Sequence, residues 1–112
     1  MSGTQPERRR APRAIATFPI LMSDRQGPAE ATLKDLSSNG LCCIYPQGLP
    51  EMSILQIDLD LPGGKARHRI QGAVVRCEQV QAGYEVAVYF TEVSSEARAA
   101  LEAYVTAHAP AA

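Results

Sequence analysis

The chain has 112 residues, 46% of them apolar, with three cysteines and a net charge of −1 at neutral pH. That length favours a single domain able to bury its own core without metals or disulfides. No apolar run approaches the roughly 20 residues that span a bilayer. The polar start Met1-Ser2-Gly3-Thr4-Gln5-Pro6 lacks the apolar stretch of a secretory signal, so the cytoplasm is the expected compartment.

Charge is unevenly spread. Residues 1–13 hold Arg8, Arg9, Arg10 and Arg13 against Glu7 alone and sum to +3, leaving −4 on the rest. A basic arm on a mildly acidic body points to an anionic partner held near the arm, not to long nucleic acid. Residues 1–7, polar with Gly and Pro, read as a flexible tail. The domain is expected over residues 8–109, with 110–112 a short tail.

Residues 14–22 read as a first strand, with Pro19 at an edge or bulge because it lacks a ladder donor. Residues 23–28 read as a turn through Asp24, Gly27 and Pro28. Residues 30–36 alternate, setting Ala31, Leu33 and Asp35 against Thr32, Lys34 and Leu36, a second strand. A tight turn at 37–40 leads to a third, nearly all-apolar strand at 41–45. After a loop at 46–50, Leu55-Gln56-Ile57-Asp58-Leu59-Asp60-Leu61 alternates strictly, so one face is buried and the other wet.

Pro62-Gly63-Gly64 turns the chain into a long strand over 67–80, whose alternation slips at Val74 and Val75 and so predicts a bulge. Gln81-Ala82-Gly83 turns it again. Tyr84, Val86, Val88 and Phe90 then face one way, with Glu85, Ala87 and Tyr89 opposite. Finally Ala97, Leu101, Tyr104, Val105 and His108 recur at helical spacing, with Ser94 as N-cap, Glu96 in the first turn and Pro110 as the stop. Six short strands and one terminal helix predict an all-β fold with a C-terminal helix. The architecture is a small six-stranded antiparallel β-barrel, which leaves no open edges.

The catalytic inventory is thin, and an enzyme is not expected. His68 and His108 lie on different elements, His68 at the surface and His108 as a packing residue of the helix. Asp58 and Asp60 read as a solvated face. Cys42, Cys43 and Cys77 read as buried free thiols, too few and too close for a disulfide framework and without histidines at metal-ligand spacing. No phosphate-binding glycine loop is present, and neither a metal nor a cofactor is expected.

Two segments carry recognition chemistry. The first is Glu7-Arg8-Arg9-Arg10-Ala11-Pro12-Arg13. The planar arginine fork pairs with phosphate and with the O6/N7 edge of guanine, although such a cluster can also be a solvated tail. The second is Asp35-Leu36-Ser37-Ser38-Asn39-Gly40. Asp, Ser and Asn cap turns and Gly relaxes backbone limits, so a purely structural turn is also an ordinary reading. Asp35 and Ser37, two apart on an extended chain, project to the same side. A carboxylate there can accept from guanine N1–H and N2–H, and Gly40 lets a ligand approach the backbone closely.

Arg9-x-x-x-Arg13 before the first strand, extended by Arg8, followed by Asp35-x-Ser37-x-x-Gly40, resembles the PilZ domain family over residues 7–107. The resemblance implies a receptor for cyclic di-GMP (c-di-GMP). Arg9 and Arg13 would contact guanine edges and phosphates, with Arg8 assisting. Asp35 and Ser37 would read a guanine, and Gly40 would shape the turn. Arg10, Ser38 and Asn39 are secondary candidates. Ala87 stands where many members carry glycine, a difference expected to affect packing. The arm is expected to be mobile without ligand and ordered with it, signalling to an as yet unidentified effector protein. The alternatives are a PilZ-fold adaptor of a motility or pilus system that does not bind nucleotide, and a small barrel for RNA or single-stranded DNA. Against the latter, aromatics are only 5% of the chain.

Overall fold

A computed structural model of the chain describes residues 13–64 and 66–108. Seven strands and one helix follow in order: β1 (Ala14–Ile15), β2 (Pro19–Asp24), β3 (Gly27–Leu36), β4 (Gly40–Tyr45), β5 (Ile54–Asp60), β6 (Arg67–Val80), β7 (Gly83–Glu92) and α1 (Ser95–His108). Every pairing is antiparallel. Neighbours run β3–β2–β5–β6–β7–β4, and β4 pairs back with β3, so six strands close into a barrel. The short β1 is the seventh. It lies along the same edge of β3 as β2, with Ala14 opposite Leu36 and Ile15 opposite Asp35. The first expected strand is therefore one strand interrupted before Pro19, with Ala16 N donating to Lys34 O and Phe18 O accepting from Leu33 N.

Two features differ from the sequence reading. The β2–β3 hairpin turns tightly on Arg25 and Gln26, with Asp24 opposite Gly27. Asp24 Oδ1 accepts from Gln26 N at 2.8 Å. Gly27 takes φ +112°, a conformation open chiefly to glycine. Ser23 and Asp24 therefore belong to β2, and Gly27 and Pro28 to β3, rather than to the turn.

The other difference is one of phase. β3 carries an irregularity in its pairing with β4 between Leu33 and Asp35, which makes Lys34 an extra residue. Past it the alternation inverts. Leu36 is fully buried and Asp35 lies on the outer face, where strict alternation had put Asp35 with Ala31 and Leu33. The slip expected in β6 is present, with Val75 the extra residue between Val74 and Arg76.

The core is one cluster that includes Met22, Leu33, Leu36, Tyr45, Leu55, Ile57, Leu59, Ile70, Val86 and Val88. The helix adds Ala97, Leu101 and Val105 and packs on β1 and β6. Ser94 caps it as expected, its Oγ accepting from Ala97 N at 3.0 Å. His108 is exposed rather than buried in packing, and its ring stacks on Tyr104 with centroids 4.1 Å apart. Asp58 and Asp60 are not free either. Asp58 pairs with Arg69 at 3.0 Å and Asp60 with Arg67 at 2.9 Å. Cys42 and Cys43 are buried free thiols, whereas Cys77 is half-buried and its Sγ accepts from Leu49 N. Among the described residues no helix is long and apolar enough to cross a membrane, and no cluster of His, Cys, Asp and Glu is placed to hold a metal.

Candidate functional site

The two segments that carry recognition chemistry meet on the outer face of the barrel. Arg13 immediately precedes β1, and β1 pairs with the last residues of β3. An Arg13 Nη1–H donates to Asp35 Oδ1, joining positions 22 residues apart in sequence. Both groups remain partly open, with side-chain exposures of 53% for Arg13 and 30% for Asp35, so a ligand can reach either. Arg8, Arg9 and Arg10, and the expected mobile arm and tails, lie outside the described residues.

The Asp35–Gly40 segment divides its labour. β3 ends at Leu36, and Ser37 turns onto its own hairpin rather than projecting with Asp35. Ser37 is 1% exposed, and its hydroxyl makes three bonds. It donates to Gly40 O at 3.2 Å and accepts from the N–H groups of Asn39 and Gly40, each at 3.1 Å. A hydroxyl has one proton and two lone pairs, so this one is saturated. Ser38 is half-buried and Asn39 exposed. Asn39 O accepts from Phe90 N at 2.8 Å, which pins the turn to β7.

Gly40 is constrained by the protein itself. It lies opposite Tyr89, and a Cβ built on it would sit 2.2 Å from Val88 O. The close approach is thus that of the β7 backbone, where the sequence reading had assigned it to a ligand.

Cross-strand register sets what surrounds Asp35. Asp35 on β3 lies opposite Cys42 on β4, Cys42 opposite Ala87 on β7, and Ala87 opposite Arg76 on β6. Partners opposite one another project from the same face, so these four form one row across the outer surface. Cys42 and Ala87 are small and make a shallow floor between a carboxylate and a guanidinium. Ala87, where packing was the expected consequence, faces this surface and not the core.

Beside the row, Glu85 collects three donors: Lys34 Nζ at 3.2 Å, Cys42 Sγ at 3.5 Å and Arg76 Nη2 at 3.7 Å. The hydrogen bond from Lys34, followed by that from Cys42, holds the Glu85 carboxyl below its ordinary range. Burial first, and then the carboxylate of Glu85, push the Cys42 thiol up, so it stays protonated. Lys34, Arg76, Glu85 and Tyr89 were missed as site neighbours by sequence reasoning. Lys34 adjoins Asp35 in the chain and sits at the bulge, whereas the registers of β3, β4, β7 and β6 put Arg76, Glu85 and Tyr89 on the same outer face.

The face is open. Two clefts of about 560 Å³ and 470 Å³ lie elsewhere, one between the β2–β3 hairpin and the loop before β5, the other between α1 and the β5–β6 loop. Neither contains Arg13 or Asp35.

Comparison with known proteins bears on the fold and the family. No curated protein matches the chain by sequence. Among solved structures, the inhibitor of motility MotI/DgrA of Bacillus subtilis superposes with a TM-score of 0.75 at 16% identity, over 87% of this chain and 49% of that one. The PilZ domain of Escherichia coli YcgR with c-di-GMP gives 0.70 at 16% identity, over 90% and 91%. Borreliella burgdorferi PlzA in complex with c-di-GMP gives 0.65 at 14% identity, over 83% and 39%. The chain thus spans about half of MotI/DgrA and less of PlzA, but nearly all of the YcgR domain. The PilZ domain profile matches residues 7–107, and the chain belongs to the PilZ domain family.

Proposed function

We propose that this protein is a receptor for c-di-GMP. The observation that carries the reading is the contact between the two motifs: Arg13 of the arginine segment rests on Asp35 of the Asp-x-Ser-x-x-Gly turn. A guanine edge presents acceptors at O6 and N7 to an arginine fork and donors at N1 and N2 to a carboxylate, so one adjacent Arg and Asp can hold a single base from both sides. The ligand's two phosphates supply negative charge that arginine is suited to pair.

An open sheet face cannot enclose a dinucleotide, whereas small-ligand sites normally bury most of their ligand. In this reading Arg8 and Arg9 close on the ligand from the segment before Arg13, with Arg10 beside them. That ordering is the signal passed to an effector protein. Ser37 and Gly40 serve by shaping the turn, and Ser38 and Asn39 flank it. Two relatives in the family were solved with c-di-GMP, which supports the reading.

Calorimetric titration with c-di-GMP, GTP and an oligonucleotide tests it. Binding of the cyclic dinucleotide alone is expected. Arg13→Ala or Asp35→Ala should each weaken it roughly ten- to hundredfold, the worth of a charge-assisted hydrogen bond, while leaving the melting temperature in place. A folded wild-type chain that ignores c-di-GMP would end the proposal. It would favour instead a PilZ-fold adaptor of a motility or pilus system, the reading that the motility inhibitor among the structural relatives invites.

A further inference from the structure

Of the six Phe and Tyr residues in the chain, five are buried or half-buried and one, Tyr89, is exposed, at 56%. An aromatic ring is a large apolar surface to leave in water, and the barrel has done nothing to cover this one. Its partners across the sheet are Gly40 on β4 and Ala73 on β6. Gly40 has no side chain and Ala73, itself buried, ends at its Cβ, so neither cross-strand partner sends a long side chain over the ring. Two residues back on the same strand and face is Ala87, in the row with Asp35, Cys42 and Arg76. The Asp35–Gly40 turn is fixed to this part of β7 by the bond from Phe90 N to Asn39 O. Tyr89 and Asp35 are therefore held on one rigid surface. They are two strand spacings apart across the sheet and two residues apart along it, roughly 12 Å in all.

We propose that Tyr89 is the base-stacking platform of the site, receiving a guanine of the dinucleotide whose edge chemistry is read at Asp35. The inference rests on c-di-GMP being the ligand. Every purine offers a flat π face, and a ring with two rotatable bonds loses little entropy in meeting it. Stacking is tolerant of base identity. The division of work follows: Asp35 and the arginines select guanine and phosphate, and Tyr89 supplies affinity. The open face also explains why the ring can stay uncovered in the unliganded protein.

The experiment is calorimetric titration of c-di-GMP into the wild-type chain and three variants, Tyr89→Ala, Tyr89→Phe and Ile54→Ala. Ile54 is opposite Ala73 in the same row and is also exposed, at 55%, which makes it the control for general loss of apolar surface. Tyr89→Ala should weaken binding about ten- to hundredfold, the range that base–aromatic stacking supplies. Tyr89→Phe should keep wild-type affinity, since the ring and not the hydroxyl does the stacking, and Ile54→Ala should bind as wild type. Independently, the ring protons of Tyr89 should move upfield in the NMR spectrum of the wild-type complex. A folded Tyr89→Ala variant with unchanged affinity, or a Tyr89 ring whose resonances ignore the ligand, overturns the proposal while leaving the receptor reading intact. If the wild-type chain itself does not bind, both fall together.

Discussion

Gly40→Ala separates what the turn does for the fold from what it does for a ligand. The added methyl would lie 2.2 Å from Val88 O and 3.3 Å from Val88 C, both backbone atoms that no rotamer change can move aside. Relieving the clash to an ordinary contact needs a displacement of about 1 Å between β4 and β7, because heavy atoms in packed interiors sit near 3.5 Å. A shift of that size carries the neighbouring ladder bonds past the usual 2.7–3.2 Å window. Overpacking of this kind costs about 1–3 kcal/mol, and one weakened buried bond adds about 1 kcal/mol. A loss of roughly 2–4 kcal/mol lowers the melting temperature of a domain this size by about 10–20 °C. Differential scanning calorimetry without ligand reads it directly. A variant melting within about 3 °C of wild type would refute the reasoning, since the barrel would then have slack between β4 and β7.

Two further outcomes follow from the buried groups. Tyr45 is fully buried and its hydroxyl is unpartnered among the described residues, so Tyr45→Phe should hold or raise stability by about 1 kcal/mol; urea denaturation showing a comparable loss would mean that the hydroxyl is satisfied. Burial pushes the Cys43 thiol up to about 12 from an ordinary value of 9.0. The folded chain thus holds a proton that the unfolded chain releases first. The stability it contributes is complete below about pH 9 and is lost as pH rises towards about 12. Cys43→Val should flatten that alkaline decline in a series of denaturation curves, and an unchanged slope would assign it to other groups.

Legibility in the sequence followed the range of the interaction. β5 was plain because Leu55, Ile57 and Leu59 alternate with Gln56, Asp58 and Asp60, and a strand buried on one face needs only its own pattern to be recognised. The helix was plain for the same reason, and Ser94 marked its start. The phase of β3 was not, because the bulge at Lys34 is a property of its pairing with β4 and leaves no local mark beyond an alternation that later breaks. The two motifs were legible as words, and their meeting through Arg13 and Asp35 follows from β1 lying on β3. The roles inside the second motif were not legible. Spacing alone gives Ser37 and Asp35 the same direction, and only the hairpin geometry turns Ser37 inward. Likewise Gly40 reads as room for a ligand until Val88 is seen to occupy that room.

The ion pair between Arg13 and Asp35 bears on how such a site could work at rest. Both side chains are substantially exposed. A solvent-exposed pair of this kind contributes about 0–1 kcal/mol, so breaking it costs little. Yet it keeps the guanidinium and the carboxylate within a few ångströms of each other and aims both at the outer face. A guanine that accepts from Arg13 and donates to Asp35 exchanges one modest contact for two charge-assisted ones, each worth more than the pair it replaces. In the proposed receptor the pair would thus preorganise the site without locking it. A double-mutant cycle on Arg13 and Asp35 distinguishes the two states. Without ligand the coupling should be near zero in stability, and with c-di-GMP it should be large in affinity, because the two side chains then act on one base.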